Sequence, residues 1–146
     1  MNSAHLHLAL NHLPVVGSLV ALALLAAGLW KRSEDIKRAG LWLLLASAVF
    51  ALPVYLTGEP AEDIVERLPG VSDQLIEQHE SAAGVAVAAL AVLGAIAMAG
   101  LIAFRGGRKM VPWFAVMVLA GNLVACSLMG WTASIGGKIR HTEIRR

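Results

Sequence analysis

Four stretches of the chain, Leu6–Trp30, Ala39–Thr57, Ser81–Phe104 and Met110–Ser134, contain no Asp, Glu, Lys or Arg, and the shortest has 19 residues. A helix needs about 20 predominantly apolar residues to cross the hydrocarbon layer of a bilayer. None of the stretches alternates apolar with polar residues as a membrane strand would, and lipid admits only helices or closed barrels. The pattern predicts a single all-α membrane domain over residues 1–146, a four-transmembrane-helix up-down bundle with approximate spans 6–30, 39–57, 81–104 and 110–134. Composition agrees: 15% of residues are charged, against about a quarter in soluble domains. A cleaved leader is not expected, because a basic n-region is missing and His7, Asn11, His12 and Pro14 interrupt the first apolar run. Cys126, the only cysteine, excludes a disulfide within the chain.

With four crossings both termini share one face with the long loop between spans two and three. The two short loops carry seven basic residues, Lys31, Arg32, Lys37, Arg38, Arg105, Arg108 and Lys109. The other face has five, Arg67, Lys138, Arg140, Arg145 and Arg146. Basic residues next to spans are retained in the cytoplasm. The expected topology is therefore multi-pass, with the two short loops in the cytoplasm and both termini on the outer face. Trp30, Trp42 and Trp113 would mark the inner interface, and Tyr55 and Trp131 the outer one.

The long loop Gly58–Glu80 contains seven of the ten acidic residues. Within it Ala61, Ile64, Val65 and Leu68 recur at helical spacing with Glu59, Glu62, Asp63 and Glu66 between them, which predicts a short amphipathic helix on the outer surface. Ser72-Asp73 reads as an N-cap and first turn, so the third helix should start well before Ser81. Gly136-Gly137 reads as the stop of the fourth helix.

All five histidines, at positions 5, 7, 12, 79 and 141, map to the outer face. His12 lies inside the first span and His79 opens the third, and ionisable groups at such depth are functional candidates. At about 100° per residue, His5 and His12 share a helix face while His7 points about 160° away from His12. Two pairs follow as the expectation: His12 with His79 in the bundle mouth, and His5 with His141 nearer the surface. The small residues Ala82, Ala83 and Ala86 below His79 would either pack against a neighbouring helix or clear space for a flat macrocycle. Asn122 would hydrogen-bond across helices.

Three chemistries use such histidines. A b-type haem takes two neutral imidazoles, with Lys138, Arg140 and Arg67 available to its propionates. A non-haem ion, Fe, Cu or Zn, would combine the histidines with Glu62 and Glu80. A proton-linked channel or pH sensor would use titrating imidazoles directly. A structural subunit without cofactor is the remaining class. No hydrolase signature is present, enzymatic activity is left open, and nothing resembles a nucleic-acid site.

His5-Leu6-His7, Asn11-His12-Leu13-Pro14, Thr57-Gly58-Glu59-Pro60-Ala61-Glu62, Ile76-Glu77-Gln78-His79-Glu80 and Gly136-Gly137-Lys138-Ile139-Arg140-His141 resemble a group of uncharacterised bacterial four-helix membrane proteins. More distantly, the first span resembles a domain-of-unknown-function family in which histidine and proline open the first helix. Some members of that family are fused to c-type cytochrome domains. The resemblance implies electron transfer and ranks haem b above a non-haem ion. It also implies a periplasmic cytochrome c or a membrane redox complex as partner, beside the lipid bilayer, with a homo-oligomer left open.

Overall fold

The computed structural model describes residues 2–145; Arg146 of the basic tail lies outside them. Among the described residues the chain is wholly helical: α1 (Ser3–Leu10), α2 (His12–Trp30), α3 (Glu34–Leu56), α4 (Gly58–Val65), α5 (Asp73–Ala103), α6 (Pro112–Arg140) and a 3-10 turn at Thr142–Ile144. Four segments, Ser3–Trp30, Glu34–Leu56, Asp73–Ala103 and Pro112–Arg140, are long and apolar enough to cross a membrane. The sequence spans are therefore right in number, and the helices run beyond them mainly at the starts of the second and third and at the end of the fourth.

Local chemistry explains where each helix starts and stops. Asn2 caps α1 by accepting the His5 N–H at 2.9 Å. Pro14 has no N–H to bond the carbonyl four residues back, and the chain turns at Asn11 between α1 and α2. Ser33 caps α3, with Glu34 and Asp35 in its first turn. Ser72 is the extended residue before α5, as its sequence context predicts. Pro112 opens α6, where a missing N–H costs nothing. The amphipathic helix is also present, ending at Val65 rather than Leu68.

Gly136-Gly137 does not end α6, which runs on to Arg140. The tail satisfies the terminal carbonyls instead: Arg145 donates from Nε to the Lys138 carbonyl at 2.7 Å and from Nη2 to the Ile139 carbonyl at 2.8 Å. The same Nη2 reaches the Gly70 carbonyl at 2.9 Å, which ties the tail to the loop before α5.

Helices α2, α3, α5 and α6 form a closed ring in that order. Neighbours run antiparallel, since Gly17 faces Ser47 while Gly28 faces Lys37, and Gly94 faces Ala48 while Gly100 faces Leu41. Small residues set the spacing: a Cβ at Gly94 would stand 2.5 Å from that of Ala48. Ala82 and Ala86 are buried in the bundle, as the close-packing reading expects. Asn122, fully buried, donates Nδ2 to the Ser18 carbonyl at 3.0 Å, the expected bond between helices. Trp30, Trp42, Tyr55, Trp113 and Trp131 are all exposed on the outside of the ring.

The end of the bundle without histidines is closed by a polar lock. Lys37, only 5% exposed, donates Nζ to Glu34 Oε1 at 2.6 Å. Glu34 Oε2 accepts the Met110 N–H at 2.7 Å. Arg38 donates to the carbonyls of Phe104 and Arg108, both at 2.9 Å. Together these fasten the start of α3 to the α5–α6 turn.

Candidate functional site: an imidazole pair at one end of the bundle

At the opposite end α1 lies on α4, with Ser3 Oγ donating to the Pro60 carbonyl at 2.5 Å. No residue of α1 is buried. One of its side chains nevertheless turns inward. His7 Nδ1 sits 3.1 Å from the Val54 carbonyl and 3.1 Å from Thr57 Oγ1, both at the end of α3. Across the mouth, His79 Nδ1 sits 3.0 Å from the Thr132 carbonyl of α6.

Gly136 makes that second contact feasible. A Cβ there would meet His79 Cε1 at 2.9 Å and Nδ1 at 3.1 Å, so only glycine lets the ring lie flat on α6. A residue that reads as a helix stop is in fact a seat for an imidazole.

A ring nitrogen facing a carbonyl must carry its proton, so His7 and His79 are both held with Nδ1–H as donor. In the neutral ring this leaves the Nε2 lone pair open, the tautomer that backbone carbonyls impose on metal-ligating histidines.

The expected pairings are not formed. His12 is exposed, its Nδ1 bonded to the Leu8 carbonyl at 2.8 Å, and it borders an apolar groove between α2 and α3 with Val16, Gly17, Leu43, Ser47 and Phe50. The reason is the face that α2 buries: Pro14, Ser18, Ala21, Leu25 and Gly28 point inward. His7 continues that stripe and His12 does not. His5 stays exposed and bonds Asn2 Oδ1 at 3.1 Å, while His141 bonds Glu143 at 2.9 Å within the tail. These two histidines therefore make local contacts rather than a pair. Arg140 and Arg67 are exposed.

Nor do the carboxylates complete an ion site: among the described residues no three His, Cys, Asp or Glu side chains converge to hold a metal ion. Glu62 and Glu80 do feel each other. The Glu62 carboxyl is pushed above its ordinary value of 4.5, first by desolvation and then by the nearby charges of Glu80 and Glu66. A raised value means that the folded state holds the proton more tightly than the unfolded chain. This favours α4 docking below pH 4.5, and the advantage fades as pH rises through the raised value. Glu62→Gln should therefore slow amide exchange in α4 at neutral pH and change little at pH below the carboxylate range; an equal effect at both would remove the like-charge explanation.

Comparison with protein-family models, with curated proteins and with solved structures returned no match. Fold and composition define the class, a helix-bundle membrane protein with four candidate spans.

Proposed function

We propose that the protein is a small membrane electron-transfer protein that binds one b-type haem at its histidine-bearing end, where His7 and His79 would hold it. The observation that carries this reading is the pair of carbonyl-anchored imidazoles on separate helices. A haem iron takes four of its ligands from the porphyrin, so two imidazoles suffice. A closed non-haem site needs three or four protein ligands, and no such group converges among the described residues. When bound, haem would supply one-electron redox chemistry.

The chain's own part is positional. The carbonyls of Val54 and Thr132 fix ring orientation and tautomer, and Gly136 fixes the approach of His79. Arg140, exposed at the same end, is the cation available to a propionate. The excess of basic residues in the two short loops supports a periplasmic location for this end in a bacterial inner membrane. A periplasmic cytochrome c or a membrane redox complex is the partner class that such a location serves.

A second reading, an Fe, Cu or Zn ion, would use the same two carbonyl-anchored imidazoles and would need ligands from elsewhere, since no third His, Cys, Asp or Glu converges on them among the described residues. The absorption spectrum of the purified protein, with elemental analysis, decides between them. A Soret band with stoichiometric iron supports haem; bound metal without that band supports the ion; a colourless, metal-free protein that takes up neither added haemin nor added metal overturns both.

A further inference from the structure

On the outside of the same end, α5 and α6 leave an open groove of about 580 Å³ lined by Glu77, Ser81, Ala82, Trp131, Ile135 and Lys138. It straddles the boundary between charged and charge-free chain: Glu77 lies just before the stretch that begins at Ser81, and Lys138 just beyond the one that ends at Ser134. The groove thus sits where a lipid headgroup meets its acyl chains.

The ion pairs among the described residues are Lys37–Glu34, Arg38–Asp35 and His141–Glu143. Glu77 and Lys138 line one groove, and neither belongs to an ion pair among the described residues. A carboxylate and an ammonium held apart in one groove complement a ligand that carries a cation and an anion a few bonds apart. Below them, Ala82 and Ile135 give an apolar wall, and Trp131 supplies the amphipathic ring favoured at headgroup level.

We propose that this groove binds the headgroup of phosphatidylethanolamine, its phosphate on Lys138 and its ammonium on Glu77. The choice among lipids rests on donors. A primary ammonium gives the carboxylate charge-assisted N–H bonds, which the quaternary ammonium of phosphatidylcholine cannot make. Phosphatidylglycerol has no cation and meets repulsion at Glu77. The groove shares no lining residue with the His7 and His79 contacts and stands whether or not the end of the bundle carries haem.

The test is to reconstitute the full chain in vesicles of equimolar phosphatidylethanolamine, phosphatidylcholine and phosphatidylglycerol, extract it gently and quantify retained lipid by native mass spectrometry. Wild type should retain phosphatidylethanolamine about threefold to fivefold over the other two, the size of one exposed charge-assisted pair. Glu77→Gln should lose that preference and turn towards phosphatidylglycerol. Lys138→Gln should lose retention of both phosphatidylethanolamine and phosphatidylglycerol. Equal retention of the three lipids by wild type overturns the proposal, as does a wild-type preference for phosphatidylglycerol or a phosphatidylethanolamine preference that survives both substitutions.

Discussion

Glu34→Ala should destabilise the bundle by about 3 kcal/mol or more, because it leaves a buried ammonium without its partner. Lys37 is nearly enclosed, with a side chain 6% exposed, whereas Glu34 is at 24%. The carboxylate also holds the Met110 N–H, so its removal orphans a backbone donor as well. Lys37→Met in the same background should recover much of the loss, since the cost lies in the unpaired charge rather than in the absence of attraction. Unfolding of the purified protein in mixed micelles with increasing SDS would measure both. If the single and double substitutions are equally destabilised, the buried charge is not what Glu34 controls.

How far the sequence anticipates the structure depends on which force sets each feature. Charge exclusion from lipid is large, so the charge-free stretches locate four helices without ambiguity. The ends are less legible. Ser72-Asp73 marks the start of α5 ahead of its apolar stretch, but Lys138 and Arg140 carry α6 past Gly136-Gly137, where water can solvate them. The site was legible in composition and not in orientation. Helical azimuth separates His7 from His5 and His12, and the face that turns inward is the one carrying His7 rather than the expected one carrying His5 and His12.

The missing signal was the small and buried stripe of α2. Counting back seven residues from Pro14, as Pro14 itself stands seven before Ala21, lands on His7. A heptad step keeps a residue within about 20° of one face. Gly136 was misread for a related reason. Glycine near a helix end satisfies a stop rule, and only the position of His79 on the neighbouring helix shows that close approach is its use. Such information is tertiary and has no trace in the local pattern.

The reassignment gives the haem reading its sharpest test. His7→Ala and His79→Ala should each abolish the low-spin spectrum, or convert it to high-spin with affinity lowered by more than the roughly 10- to 100-fold typical of losing a residue behind a ligand. His12→Ala should leave the spectrum and affinity unchanged, because that side chain faces outward and bonds only the Leu8 carbonyl. His5→Ala and His141→Ala should likewise be silent, since each bonds a neighbour in its own segment. Gly136→Ala supplies the intermediate case. The added methyl would stand 2.9 Å from His79 Cε1 and must tilt the ring off α6 without removing it. Its loss should be within about 10- to 100-fold, with a perturbed rather than an absent spectrum. Titration of each variant with haemin, followed at the Soret band, orders the series. If His12→Ala abolishes binding while His7→Ala leaves it intact, the inward face of the first span is the one carrying His5 and His12, and the axial pair returns to His12 and His79.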